Sequence, residues 1–422
     1  MVRDLYSRIE GIVTESGLWA GEQRQTHAFR PTSSIVGFTS AQVEELKRLG
    51  PTIAEVLQGM SRILTVAHNL DVAEGEAWRV LRKVMSMEVP GFMAPLQSLY
   101  PKQAPLLIKV DVMEDGDGQF HLAEIDATNR RGMGYTSLFE RLRSEVKPRS
   151  SAPFTPIVEA LAGLVKRLCG KGRPQLGYVY AHRERFYLSE FLILRDALRH
   201  YDVELLVGDE LETNVVGDTV VINGTPCESA LLADFAIKLE RKELIVDLSR
   251  LYKEKRVRLL IPPRPFLGSK ALLALLHNAE GDAKIEAILR SMIDGEAIDH
   301  LRQRVPMTRF VTKSSVAPTS GVLKEVISSG MKGVYFVGDP AFEKGFADAR
   351  SRPYQYVVQD EIVCRRRRFQ VLSSEGGSRE NLRTRLILYY VLRSPAGGLI
   401  TATEEKAVHG GGRAVFTGIT AK

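Results

Sequence analysis

Two alternating segments, LLIKVDVME and QFHLAEIDAT, flank the tetrapeptide DGDG at residues 115–118. Such a pattern leaves little room for anything but an antiparallel hairpin. Its geometry is restrictive, because side chains two apart share a face and a two-residue Asp-Gly turn sets the register. With Asp117-Gly118 as a type I′ turn, Gly116 pairs with Gln119, Asp111 falls opposite Glu124, and Lys109 falls opposite Asp126. Lys109, Asp111, Glu124 and Asp126 then project from one face. Moving the turn to Asp115-Gly116 shifts the pairs and keeps the face. Three carboxylates gathered in this way repel one another. Something positive must offset them, and Lys109 and a divalent cation are the two candidates. The plain alternative is a surface hairpin whose acids are solvated. Glu114 has the opposite parity to Asp111, so it is expected to point away and to tolerate substitution almost silently.

An EF-hand does not fit DVMEDGDG. With Asp111 first, the third position is Met113 and the twelfth is Leu122; with Asp115 first, the glycine position is Phe120. Mg²⁺ fits better, since it takes one or two carboxylates and shares its other positions with water and phosphates. Just beyond the second strand come Asn129, Arg130 and Arg131. GMGY then lets the backbone pass close by.

The rest of the chain sets the frame. Residues 1 to about 100 read as mainly helical, with TSAQVEELKRLGPTIAEVLQGMSRILTVA opening on a Thr/Ser cap. Residues 176–260 alternate strand, helix, strand, which argues for a partly parallel α/β layer, with a small hairpin turning at Asn223-Gly224. No GxGxxG follows the first strand, so a dinucleotide site there is unsupported. Residues 261–422 read as an α+β region. The domain division expected is 1–175, 176–260 and 261–422.

Composition excludes several classes. No apolar run reaches the roughly 18 residues of a membrane helix, and the N-terminus lacks an apolar signal core, so a cytoplasmic protein is expected. The 3 cysteines are scattered, without CxxC, which argues against a zinc site or a disulfide framework. The net charge of +7 is modest and suits an anionic small ligand as well as nucleic acid. The dense run Arg365–Arg368 follows a strand-like stretch and points to both faces, so it reads as a solvated edge or loop.

Several short motifs, each weak alone, occur in a specific order: an acidic hairpin, a β-α-β module, GSKA at a helix start, a strand lysine before a glycine loop, and VVQDEI. This order resembles the ATP-grasp ligases, and within them the circularly permuted branch typified by glutathionylspermidine synthetase. The resemblance covers about residues 100–422. It implies an α/β (α+β) ATP-grasp-like fold with a helical N-terminal region and a β-α-β pre-ATP-grasp-like module. It implies Mg²⁺ held by Asp111, Glu124 and Asp126, the last standing where the family has Asn. Lys109 stands where the family has an arginine acting on the phosphoryl group, and Lys lacks that planar fork; Arg130 or Arg131 could compensate. Lys270 of GSKA and Lys324 would contact ATP phosphates, with Gly330, Lys332 and Gly333 in the flexible loop. Gln359, Asp360, Glu361 and Ile362 would hold adenine.

The implied activity is ATP-dependent carboxylate–amine ligation through an acyl phosphate, acting on small-molecule acids and amines. Nucleic acid and membrane are not expected partners. The rival class is a non-catalytic basic nucleotide- or RNA-binding α/β protein. Three acids on one hairpin face argue against an RNA surface, and aromatics interleaved with the basic run are lacking.

Overall fold

The structure is a computed structural model that describes residues 2–18, 29–69, 75–87, 89, 91–128, 131–170, 172–233, 238–278, 281–328, 331–411 and 413–422. It is a mixed α/β protein whose described strands form five sheets.

The largest sheet is antiparallel and six-stranded. Its axis is the strand Gly376–Val391, with Ser394–Thr403 and then Val415–Thr417 on one side. On the other side two strands lie end to end. Arg366–Ser373 pairs with the first half, and Leu107–Glu114 pairs with the second half through Arg385↔Met113 to Val391↔Leu107. Phe120–Asp126 completes the hairpin at the edge.

The two faces of this sheet differ because the strands alternate. Val110, Val112, Leu386, Leu388 and Tyr390 are buried in the core beneath the helix Ser40–His68. Lys109 and Asp111 lie on the opposite face. That helix begins as the sequence predicts: Thr39 and Gln42 form a capping box, which satisfies two backbone donors that would otherwise be orphaned. Its stripe Leu46, Leu49, Ile53, Leu57 and Met60 recurs at helical spacing and is fully buried. The Tyr390 hydroxyl donates to Leu46 O at 2.7 Å and pins helix to sheet.

A four-stranded antiparallel sheet runs in the order Thr308–Phe310, Tyr356–Gln359, Val322–Glu325, Val334–Phe336. The β-α-β module is present as read. Gln175–Tyr180 is the central strand, with Glu204–Asp209 and Ala230–Ala233 parallel to it on either side. Asn223 and Gly224 both adopt positive φ, 50° and 76°, as a type I′ turn requires. Among the described residues no helix is long and apolar enough to cross a membrane.

The hairpin turn departs from the sequence reading. Gly118 N donates to Asp115 O at 3.1 Å, and Asp117 N and Gln119 N donate to Asp115 Oδ1. Gly118 alone takes the left-handed conformation, at φ +83°, so the turn is not type I′. Glu114 consequently pairs with Phe120 and Met113 with His121, one residue off the expected register. A bulge at Ala123 takes up the extra residue. Beyond it Asp111 does face Glu124 and Lys109 does face Asp126.

Candidate functional site

The acidic face of the hairpin looks into a cavity of about 1270 Å³, walled by the six-stranded sheet, the four-stranded sheet and the segment after Tyr180. Lys109, Asp111, Glu124, Asp126, Arg131, Lys270, Lys324, Lys332, Gln359, Asp360, Glu361 and Ile362 all line it. Residues read separately from the sequence are thus brought to one place. Gly333 lies in the turn before Val334 with φ +69° and is not on the lining. Arg130 and Gly330 lie outside the described residues.

Each carboxylate has a specific partner. Asp111 is buried and accepts from Arg385 Nη1 at 3.0 Å, with Lys109 Nζ 3.7 Å from its other oxygen. That other oxygen, Oδ1, is buried without a hydrogen bond. Glu124 is paired with Lys270, whose Nζ lies 3.3 Å away. Burial alone would raise the Glu124 pKa, but Lys270, Lys109 and Lys324 outweigh it and bring it down to about 2. Asp126 behaves oppositely: burial and the neighbouring Glu124 charge push its pKa up, against Lys109 and two hydrogen bonds from Thr128. At Asp111 and Glu124 the expected repulsion is therefore offset within the protein itself, by lysines and by an arginine the sequence reading did not assign, whereas at Asp126 it persists.

The lysines are aimed by backbone. Lys270 N donates to Val326 O at 2.9 Å, which docks the start of the helix Ala271–Asn278 on the end of the strand Val322–Glu325. Just before it, Gly268 packs against the acidic strand: a Cβ there would stand 2.6 Å from Asp126 Oδ1 and 2.3 Å from Thr128 Oγ1, so a side chain has no room. Lys324 projects from the strand and donates to Gln359 Oε1 at 2.6 Å and to Ala123 O at 3.4 Å, the carbonyl at the bulge. Burial lowers its pKa to about 8, with Glu124 opposing the shift. Gln359 in turn donates to Thr308. Glu361 pairs with Lys406 at 2.9 Å.

Arg131 lies 3.8 Å from Glu184 and stacks over the Tyr187 ring, and its carbonyl accepts from the Tyr389 hydroxyl. Glu190 is buried and accepts from Gly132 N at the start of the helix Met133–Val146. Burial raises its pKa to about 7.

Two expectations are corrected. Glu114 does sit on the face away from Asp111, yet it is 4% exposed and held by Arg365, Arg367 and Gln42. The arginine run is accordingly not a fully solvated edge: alternate members turn inward to a buried acid, and Arg366 lines the cavity. Parity gave the direction of Glu114, but nothing local in the sequence indicates what covers that face.

Among the described residues no group of three His, Cys, Asp or Glu is close enough to form a metal cage. The donor set still fits a cation that takes only one or two carboxylates. Asp111 Oδ1 is buried and short of a partner, and Glu124 is held ionised.

No family model matches the chain. No curated protein matches it. Among solved structures it is similar to a glutathione synthetase like-effector from Globodera pallida in its apo form, with a TM-score of 0.60 at 9% identity, over 99% of this chain and 96% of that one. At 9% identity that likeness concerns architecture alone, and it shows that the chain has a glutathione synthetase-like fold.

Proposed function

We propose that the protein is an ATP-dependent carboxylate–amine ligase of the ATP-grasp type, in the circularly permuted arrangement, where the acidic hairpin precedes the lysines. The observation that carries this reading is that one cavity presents the buried Lys270 and the half-buried Lys324 beside the acids Asp111 and Glu124. Nucleotide phosphates need cations and a metal together, and few other ligands do. The glutathione synthetase-like description of the fold neighbour agrees with ligase chemistry.

In this reading Lys270, Lys324 and Lys332 neutralise phosphate oxygens as point charges. Residues Gln359–Ile362 receive the adenine. Asp111 and Glu124, with Asp126 beside them, would hold Mg²⁺, which supplies charge neutralisation to the transferring phosphoryl group. The γ-phosphoryl group passes from ATP to a substrate carboxylate, and ADP leaves. An amine then attacks the acyl carbon, the amide C–N bond forms, and phosphate departs. Lys109, flanked by Asp111 and Asp126, sits on the acid side of this transfer. Arg131 would meet the acyl group. The chain's own part is positioning and electrostatics, with no protein nucleophile.

The test is a screen of paired acids and amines with MgATP, read by ADP release and by the mass of the product. Saturating MgATP should also raise the melting temperature by mass action. An unchanged melting temperature together with no calorimetric heat would refute nucleotide binding and the ligase reading with it.

A further inference from the structure

The cavity floor carries a charge pair that the reading above does not use. Arg366 and Arg383 are directly opposite one another on adjacent antiparallel strands, and both line the cavity. Like charges at that spacing are destabilising. Each is steadied by a single backbone carbonyl, Asn381 O for Arg366 and Glu404 O for Arg383, both at 2.9 Å. Among the described residues neither has a carboxylate partner, whereas Arg365, Arg367 and Arg385 each do. The next positions along the same face are Arg385 and its cross-strand neighbour Thr401, whose Oγ1 is buried without a hydrogen bond and which also lines the cavity. Two guanidinium groups without a carboxylate partner and a hydroxyl without a hydrogen bond thus sit along one floor, apart from Lys270 at a helix start and Lys324 on the facing sheet.

We propose that Arg366 and Arg383 form a second oxyanion-binding subsite, taking a phosphate or carboxylate of the molecule that fills the cavity. Guanidinium groups suit this because their planar forks meet such oxyanions with paired hydrogen bonds. The volume allows it: about 1270 Å³ exceeds the roughly 300–1,000 Å³ of a single small-molecule site. The subsite deepens the ligase reading, as a place for a nucleotide phosphate or for an anionic group of the acid substrate. Its test does not depend on turnover.

The probes are tripolyphosphate and glutarate, titrated calorimetrically into the wild-type protein and into the double variant Arg366→Gln/Arg383→Gln. Arg368→Gln/Arg379→Gln, which removes the same charge from exposed positions off the cavity, is the control. The expected result is a tenfold or greater loss of affinity for one probe in the first variant and less than twofold in the control. Loss for tripolyphosphate assigns the subsite to the nucleotide, and loss for glutarate assigns it to the acid. The melting temperature of the first variant should hold or rise, since a repulsion is removed. Failure of the wild type to bind either anion, or equal losses in both variants, overturns the proposal. If the first variant instead binds both anions as the wild type does while MgATP still binds, the subsite is wrong and the ligase reading stands.

Discussion

Lys270 Nζ and Glu124 Oε1 stand 3.3 Å apart, a salt bridge between the start of a helix and the edge strand of another sheet. The bridge ties the four-stranded sheet to the hairpin at the point where the reading above places phosphate and metal. Both members must be released or shared when those ligands arrive. Mg²⁺ and nucleotide are therefore expected to bind together far better than either alone. Calorimetric titration of Mg²⁺ without nucleotide should show little heat, and the nucleotide's affinity should rise at least tenfold with Mg²⁺ present.

Glu124→Gln removes one charge at constant shape. The three lysines around Glu124 lose their common counter-charge, so at neutral pH the variant should be less stable by about 2 kcal/mol. The pH dependence has a definite sign. The folded pKa of about 2 lies below the ordinary 4.5, so this group's contribution is full above 4.5 and fades as pH falls toward 2. Denaturation curves should show the variant and wild type converging in that window. If the proposed ligase activity is present, its turnover should fall at least a hundredfold at neutral pH, because the Mg²⁺ site proposed above would lose a ligand.

Burial brings the Lys324 pKa down to about 8, so its charge is progressively lost as pH rises past that value. ATP affinity should therefore decline as pH rises through that value, while Glu124 stays ionised throughout. Binding above pH 8 should take up a proton, seen as a calorimetric enthalpy that varies with the ionisation enthalpy of the buffer. Lys324→Arg, always charged, should lose the decline. Lys324→Ala should weaken ATP at least tenfold, and Lys313→Ala, at an exposed position, should leave it unchanged.

Glu114→Gln should cost about 2 kcal/mol in urea unfolding, since it strips the buried acid from Arg365 and Arg367. Asp117→Asn, exposed in the neighbouring turn, should be near neutral. MgATP affinity of the Glu114 variant should stay within threefold of wild type, because its side chain lies on the far face of the sheet. A Glu114→Gln protein as stable as wild type would show that the arginine cluster contributes little.

The hairpin face was legible because period-two alternation and cross-strand pairing depend only on neighbours in sequence. Even so, Asp111 meets Glu124 by a route the residues did not announce. The turn Asp115–Gly118 shifts the register and the bulge at Ala123 restores it, and Ala carries no bulge signature. The lysines Lys270 and Lys324 could be picked out from motif order, though their partners could not. Arg385 was illegible for a different reason. Its tie to Asp111 is made by docking of distant strands, and its own strand reads as an ordinary basic and aliphatic alternation.

That same docking has a temporal side. The outer edge of Leu107–Met113 is paired only by residues Arg385–Val391, so during synthesis the acidic hairpin waits for most of the chain before its open edge is covered. Pairing over such a span closes a very large loop and belongs late in folding. Until then Asp111 lacks Arg385, and the hairpin carries its acids without that counter-charge. Ribosome-stalled chains ending before Gly376 should accordingly show the 107–126 segment open to proteolysis, and chains extended past Val391 should show it closed.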